Sequence, residues 1–284
     1  MLAFDVVPGA DPRPGHVAFL LHGILGSARN WRAFARTLAA AAPDWRFVTV
    51  DLRHHGDSHG QAAPDSLRAC AEDLLELAAE TGPPRVLFGH SFGGKVALSA
   101  VGVLPSLRGV GVLDAVPTPV PPHDLGRDVL SVLEAVERIS MPVAHHDVVR
   151  DALVGAGLGP AVAGWMTTNL VRRGDGLVWR FDLAHIRGML AAYAETDVTD
   201  ALHQRDVEVR ILRAGRSGRW TEQAVAATAG VDVTVLPEAG HWVHVDAPDA
   251  TLRWMVDGLS AWRVRDASDL TNFLRMPHPA IDQV

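Results

Sequence analysis

The sequence predicts an α/β fold, in which a mostly parallel sheet is flanked by helices and interrupted by one helical insertion. Two observations predict this fold. In the first 116 residues, short apolar runs of strand length alternate with segments of helical spacing. The alternation then stops at a proline cluster in residues 117–122, and a mainly helical stretch follows before two further strand-like runs. The 284 residues are enough for one large domain that carries such an insertion.

Repeated strand–helix–strand units account for the first part of the chain. In the segment 31–41, for example, Trp31, Phe34 and Leu38 recur at helical spacing and share one face. Strands joined through helices in this way run parallel, with the helices packed on both faces of the sheet. The predicted strands are 16–21, 46–50, 85–89 and 110–113, and the predicted helices are 31–41, 67–79 and 92–104.

The interruption predicts a helical cap over residues 117–195. Strand-like runs resume at 207–212 and 231–236, and a final helix is predicted over 249–262. We therefore predict a core built from residues 1–116 and 196–262, with residues 263–284 as a charged, proline-containing C-terminal tail. The predicted cap helices are 124–139, 146–155, 160–171 and 182–192.

Composition narrows the classes of function. The net charge of −7 gives no electrostatic reason to bind nucleic acid or an anionic membrane. Residues 1–15 lack the basic and apolar segments of a signal peptide, and no apolar run approaches the ~20 residues that span a bilayer. The single cysteine, Cys70, cannot form an internal disulfide and is predicted to be buried in a helix. We therefore expect a cytoplasmic protein with a small-molecule partner, and the oligomeric state stays open.

One motif predicts nucleophilic catalysis. Residues 89–93 read Gly-His-Ser-Phe-Gly, which matches G-x-S-x-G, directly between an apolar strand and a helical segment. A serine at such a sharp turn needs glycine two residues to either side, because a Cβ there would clash. The turn also places the serine at a helix N-terminus, where free N–H groups favour developing negative charge. Ser91 is therefore the predicted nucleophile.

A glycine-containing loop after the first predicted strand is the candidate oxyanion hole. Residues 22–27, His-Gly-Ile-Leu-Gly-Ser, follow the apolar run and can turn backbone N–H groups towards the nucleophile. We predict that the N–H groups of Ile24 and Phe92 bind the oxyanion, with Leu25 as the alternative to Ile24. His22 is interpreted as a structural residue of this loop.

The general base is predicted from its late position in the chain. His241 follows a glycine after the last predicted strand and is the candidate base, with His244 as the second choice. Its position fits the chain order of serine, acid and histidine that this motif favours.

The acid is harder to assign, because Gly218 stands where an aspartate is expected after the strand 207–212. Asp114 lies at the end of the strand 110–113, and neighbouring strands are only about 4.8 Å apart, so its side chain can reach the same histidine. Asp114 is therefore the predicted acid. Glu222 is the alternative, and the other interpretation of Asp114 is a plain turn residue before the prolines.

Five segments together resemble a known family. They are HGILGS at 22–27, DLRHHGDS at 51–58, GHSFGGKVAL at 89–98, VLDAVP at 112–117 and AGHWVHVDAPD at 239–249. The pattern resembles the α/β-hydrolase superfamily and, more narrowly, small bacterial esterases of the YbfF type and mitochondrial relatives of the ABHD11 type. The resemblance implies the α/β-hydrolase fold with an eight-stranded core and a helical cap. It also implies carboxylesterase or thioesterase activity without a cofactor, and supports an acid at Asp114. His54 departs from the family pattern, which has asparagine there.

The predicted activity is hydrolysis of carboxylic esters or thioesters with small to medium apolar acyl groups, through an acyl-enzyme. A lactonase, a C–C bond hydrolase and a metal-free haloperoxidase would use the same residues and are alternatives, as is a non-catalytic binding protein on this scaffold. No metal is predicted, since the adjacent His145 and His146 cannot both point at one ion from a helix face. Large apolar side chains of the cap and the site loops are the candidates for substrate binding: Leu25, Trp165, Met166, Trp179, Phe181, Met189 and Trp242.

Overall fold

The computed structural model describes residues 1–9, 15–58, 61–121, 125 and 127–263. The start of the predicted helix 124–139 and all but the first residue of the predicted tail 263–284 therefore lie outside the described residues. The described residues form one seven-stranded sheet, one two-stranded sheet and ten α-helices.

Seven of the nine described strands form the main sheet. The strands are β1 Phe4–Val7, β2 His16–Leu21, β3 Trp45–Val50, β4 Val86–His90, β5 Gly109–Leu113, β6 Leu170–Arg173, β7 Gly176–Trp179, β8 Glu208–Ala214 and β9 Asp232–Leu236. The order across the main sheet is β1–β3–β2–β4–β5–β8–β9. Only β1 pairs antiparallel with its neighbour, and every other pair in this sheet is parallel. The predicted mostly parallel α/β fold is thus confirmed.

The main sheet has seven strands rather than the eight that the family resemblance implies. Strand β1 is one edge of the sheet, and no described residue pairs with its outer side. The sequence pattern does not predict β1, because its four residues are too few to show a two-residue period.

Helices cover both faces of the sheet. They are α1 Arg32–Ala41, α2 Leu67–Thr81, α3 Phe92–Ser99, α4 Arg127–Glu137, α5 His146–Gly155, α6 Pro160–Thr167, α7 Leu183–Glu195, α8 Glu222–Ala226, α9 Val243–Asp246 and α10 Pro248–Ala261. Within the described residues, no helix has both the length and the apolarity to cross a membrane.

Alternate side chains of the central strands fill two apolar clusters, one on each face of the sheet. In β2, Phe19 belongs to the cluster that contains α2 and α3, whereas Leu20 belongs to the cluster that contains α1 and α10. Strands β4 and β5 are buried throughout, as parallel strands covered on both faces are. Cys70 of α2 is fully buried as predicted, and burial raises the pKa of its thiol.

Between β5 and β8 the chain leaves the main sheet and forms what we call the insert, residues 117–198, which contains helices α4 to α7. The predicted helix 146–155 coincides with α5. The predicted helix 160–171 is too long, because the chain turns into the antiparallel hairpin of β6 and β7 after α6. Gly174, with φ of +57° in the turn, permits this hairpin.

Polar contacts join the insert to the core. Nδ2 of Asn169 donates to the carbonyl oxygen of Leu25 at 2.8 Å, so the insert holds the loop that follows β2. Arg180 pairs with Asp57 of the core, with 3.1 Å between Nη1 and Oδ2. These contacts fix the insert above the carboxyl ends of the central strands, where ligands bind in open α/β sheets.

Candidate active site

Ser91 stands in the tight turn between β4 and α3. Its φ of +53° and ψ of −118° form a backbone conformation that is rare for residues other than glycine. A Cβ on Gly93 would lie 2.5 Å from the carbonyl oxygen of His22, and a Cβ on Gly89 would overlap the backbone of Gly93. Both glycines are therefore needed for the turn, as the sequence predicts. Such strain is typical of a nucleophile elbow.

The N–H groups of Ile24 and Phe92 are available to bind an oxyanion. Ser91 is the N-cap of α3, so Phe92 provides the first N–H of that helix. Neither this N–H nor that of Ile24 has an acceptor among the described residues. Leu25, in contrast, donates its N–H to Nε2 of His55 at 3.1 Å. That hydrogen bond excludes Leu25 as the alternative donor.

Asp114 and His241 meet although 127 positions separate them in the sequence. Asp114 follows β5, and His241 lies in the loop after β9. Oδ2 of Asp114 is 2.7 Å from Nδ1 of His241. Because an ionised carboxylate only accepts hydrogen bonds, Nδ1 carries the proton, and Nε2 is the nitrogen that can accept a proton from a nucleophile.

Two further donors bind the carboxylate of Asp114. Its Oδ1 accepts from the N–H of Ala214 at 3.0 Å and from Nε1 of Trp220 at 2.8 Å. Burial alone raises the pKa of a carboxyl group, and Asp114 is completely buried. The hydrogen bond and charge of His241, with the other two donors, outweigh burial and hold the pKa of Asp114 below its usual value. The group is therefore a carboxylate at neutral pH.

The alternative acid lies outside this arrangement. Glu222 is the exposed first residue of α8 and does not line the cavity that contains Ser91 and His241. Gly218 lies in an exposed part of the loop before α8. Trp220, two residues further on, donates to Asp114, which sequence reasoning did not predict.

Two more histidines pack beside His241. Nε2 of His90 lies 2.8 Å from the carbonyl oxygen of His241, and it donates because a carbonyl oxygen only accepts. Burial, followed by the charges of the neighbouring histidines, lowers the pKa of His90 well below its ordinary value. His244 stacks on Trp31 at 4.7 Å between ring centroids, and burial followed by the charge of His241 lowers its pKa to about 4. Both rings are neutral at pH 7 and form part of the wall of the site.

A cavity of about 280 Å³ contains the candidate residues. Its walls come from the loop after β2, the turn at Ser91, the loop at His241, and helices α4 and α6 of the insert. Of the predicted substrate-binding residues, Leu25, Trp165 and Trp242 line it. The rings of Trp165 and Trp242 are 4.7 Å apart between centroids, so the insert contacts the loop that carries the candidate base.

The other four predicted substrate contacts lie elsewhere. Met166, Trp179, Phe181 and Met189 do not line this cavity and are buried in the apolar cluster that joins the insert to α2 and α3. Their size and apolarity serve packing. Helical periodicity cannot separate such residues from cavity residues, because both kinds face away from water.

Sequence reasoning also missed residues that line the cavity. Val129, Val132 and Val162 line it from the insert, and nothing in their local sequence distinguishes them from packing residues. Arg219 lines it from the loop between β8 and α8. Of these residues, only Arg219 is indicated by the sequence, because it directly follows Gly218, the position where the acid is expected.

One group of described side chains could supply three metal ligands: His54, Asp65 and His185. Nδ1 of His185 and Nε2 of His54 lie 2.9 and 3.1 Å from the same oxygen, Oδ1 of Asp65. The two imidazole rings are stacked, with 3.9 Å between centroids and 4° between planes. An imidazole nitrogen binds a metal in the plane of its ring, so one ion cannot satisfy two stacked rings unless one rotates. We interpret the group as a polar contact between the insert and the core.

The chain matches the profile of a family described as the alpha/beta hydrolase family over residues 18–254. The match covers both flanks of the insert and all the candidate catalytic residues. The chain therefore belongs to the α/β-hydrolase family.

Curated relatives and solved structures agree with this family. The chain is 28% identical over 259 residues to the Mus musculus protein named sn-1-specific diacylglycerol lipase ABHD11, covering 87% of this chain and 81% of that protein. It is 29% identical over 241 residues to the esterase YbfF of Escherichia coli K12, covering 82% and 89%. A solved marine microorganism esterase shares the fold, with a TM-score of 0.78 at 22% identity over 90% of this chain and 98% of that chain. The chain is an esterase-like hydrolase of this family.

Proposed function

We propose that the chain hydrolyses carboxylic esters or thioesters through an acyl-enzyme on Ser91. The observation that carries the proposal is the pairing of Asp114 with His241, 2.7 Å between Oδ2 and Nδ1, beside a cavity that Ser91 and His241 both line. These residues supply a nucleophile, a general base, and an acid that orients the base and stabilises its charged form.

In the first half of the reaction, Oγ of Ser91 attacks the acyl carbon and its proton passes to Nε2 of His241. The carboxylate of Asp114 faces the resulting imidazolium, and its low pKa keeps it charged. The N–H groups of Ile24 and Phe92 bind the developing oxyanion, which contributes roughly 3–4 kcal/mol per donor in comparable sites. His241 then gives its proton to the leaving alcohol or thiol.

In the second half, water replaces the alcohol. Nε2 of His241 takes a proton from that water as the oxygen attacks the acyl carbon on Ser91. The same N–H donors bind the second oxyanion, and His241 returns the proton to Oγ of Ser91 as the acid leaves. No step needs a cofactor.

The insert acts as a cap in this proposal. Val129, Val132 and Val162 form an apolar part of the wall of the cavity that Ser91 also lines, whose volume is about 280 Å³. Such a wall favours apolar acyl groups of small to medium size. The names of the mouse and Escherichia coli relatives, a diacylglycerol lipase and an esterase, have acyl-ester hydrolysis in common.

A fluorophosphonate probe tests the proposal, because it forms a covalent adduct with an activated serine. We expect labelling of the wild type at Ser91, located by peptide mass spectrometry, and no labelling of Ser91→Ala. Turnover of 4-nitrophenyl butyrate should fall by about 10⁴-fold or more in the same variant.

Ser260→Ala is the matched control, since Ser260 is an exposed hydroxyl on α10 and does not line the cavity. It should be labelled and turn over ester as the wild type does. A wild type that reacts with neither probe nor ester would overturn the proposal and favour a non-catalytic binding protein.

A further inference from the structure

Arg219 is unusual among the residues that line the cavity. The described lining residues are otherwise apolar, aromatic, small or amide side chains, together with histidines. Among them Arg219 is the only aspartate, glutamate, lysine or arginine. Since His90 and His244 have lowered pKa values, Arg219 supplies the permanent positive charge of the cavity at neutral pH.

The guanidinium of Arg219 makes few of the hydrogen bonds that it can donate. Its Nη1 donates to the carbonyl oxygen of Leu125 at 3.1 Å, and it forms no ion pair with any residue that the structure describes. Arg53 and Arg180, which fasten parts of the fold together, are instead each paired with an aspartate. A guanidinium has five N–H donors, so most of those of Arg219 have no acceptor within the described part of the chain.

The carboxylate of Asp114 does not supply that acceptor. Asp114 is fully buried, and its two oxygens already bind Ala214, Trp220 and His241. No acidic side chain lines the cavity among the described residues. An arginine that shares a cavity with the nucleophile, and that has no counter-charge among the residues the structure describes, is suited to bind a planar anion of the ligand.

We infer that Arg219 binds a carboxylate of the substrate, so that the preferred substrates are esters or thioesters that carry a carboxylate besides the scissile bond. The inference rests on the proposed function of Ser91 and names its substrate class. The carboxylate can end an otherwise apolar acyl chain, which the valines of the cavity wall still favour, or it can belong to the leaving alcohol, and the two sources require different test compounds.

Two pairs of esters of matched shape test the inference. Mono-4-nitrophenyl adipate is compared with 4-nitrophenyl 6-methylheptanoate, in which an isopropyl group replaces the carboxylate of the acyl chain. 4-Acetoxybenzoate is compared with 4-isopropylphenyl acetate, in which the change is on the leaving alcohol. For each pair, the ratio of kcat/KM for the anionic ester to kcat/KM for the neutral ester is measured in the wild type and in Arg219→Gln.

We expect Arg219→Gln to lower this ratio by about 10- to 100-fold in at least one pair, the range for hydrogen bonds to a charged group. The loss should be mainly in KM, and Arg219→Lys should restore part of it, because lysine keeps the charge without the planar fork. If the hydrogen bond to Leu125 had only a structural role, Arg219→Gln would lower kcat/KM equally for both esters of a pair and leave their ratio unchanged.

Arg216→Gln is the matched control, because Arg216 is exposed, pairs with Glu238 and lies outside the cavity. It should keep the wild-type ratio in both pairs. Ratios that are the same in the wild type and in Arg219→Gln for both pairs would overturn the inference. If the wild type turns over no ester and Ser91 takes no fluorophosphonate label, it is the proposed function itself that fails.

Discussion

Asp114 has a strained backbone, and both oxygens of its carboxylate accept hydrogen bonds. Its φ of +46° lies in a region that residues other than glycine rarely occupy. Its N–H donates to Leu212, and its Oδ1 accepts from Ala214 and Trp220. These hydrogen bonds hold the conformation and direct Oδ2 at His241. The strained backbone therefore orients the carboxylate towards His241, and strained residues commonly have such a role near active sites.

Asp114→Asn should lower kcat on 4-nitrophenyl butyrate by about 10⁴-fold, as loss of the triad carboxylate does elsewhere. Asparagine can still accept from Ala214 and Trp220, but its NH₂ group would face Nδ1 of His241 and favour the wrong tautomer. Steady-state kinetics and circular dichroism check the result. Glu222→Gln is the control and should keep the wild-type kcat; loss of activity there, with Asp114→Asn active, would make Glu222 the acid.

His244 makes the protein less stable in acid. Its pKa is about 4 in the folded state against 6.5 ordinarily, so between these values the unfolded state binds more protons. The free energy of unfolding therefore decreases as pH falls through this window. His244→Phe can keep the stacking on Trp31 without the proton. Its free energy of unfolding should fall less steeply, by at most about 1.4 kcal/mol per pH unit and by about 2 kcal/mol in total between pH 7 and 5. Urea unfolding between about pH 7 and 5 measures both slopes; equal slopes would refute the expectation.

Ser91, His241 and Asp114 stand out in the sequence as candidates because each is marked locally, by flanking glycines or by the end of an apolar run. The contacts of Trp220 and His90 cannot be predicted in this way. Trp220 bonds a residue 106 positions away and His90 one 151 positions away. Such pairs depend on the order of strands in the folded sheet, which local patterns do not specify.

At the scale of elements, helix α3 does more than carry the candidate nucleophile. Lys95 of α3 is the only lysine of the chain and is fully buried. Its Nζ donates to the carbonyl oxygens of Thr118 at 2.8 Å and Tyr193 at 2.7 Å, near the two ends of the insert. Burial lowers the pKa of Lys95 to about 8. One ammonium group thus connects both ends of the insert to the helix behind Ser91.

Lys95→Met should destabilise the protein, because it leaves two buried carbonyl oxygens without a donor at about 1–3 kcal/mol each. For a chain of this size, thermal denaturation should show a Tm lower by roughly 5–10 °C. Arg36→Met, which removes an exposed cation of α1, is the control and should shift the Tm by far less. A Tm equal to that of the wild type would mean that Lys95 does not hold the insert.

The long elements can be predicted from periodicity, and the short ones cannot. The observed bounds of α5 match the predicted ones because its apolar residues recur over ten positions. Strands β1, β6 and β7 have four residues each, and each exists through pairing with a neighbouring strand. Pairing with a neighbouring strand therefore stabilises them, and their own four residues do not indicate that pairing.

At the scale of the whole molecule, the cavity exists only where the core and the insert meet. Ser91 and His241 come from the core, and Val132 and Val162 come from two different helices of the insert. The sequence predicts where the insert begins, because the strand–helix rhythm stops there. It does not predict which side chains of the insert line the cavity, since that depends on how the helices dock.

The position of the insert should therefore set the acyl length that the enzyme accepts. Val162→Phe adds volume to the cavity wall formed by α6, so kcat/KM should fall most for long acyl chains, by roughly 10-fold or more relative to acetate. A series of 4-nitrophenyl esters from acetate to octanoate measures this profile. Val148→Phe makes the same change at an exposed position of α5 and should leave the profile as it is in the wild type. If both variants keep that profile, the acyl chain does not lie against the insert, because a larger side chain in its path would exclude the longer esters.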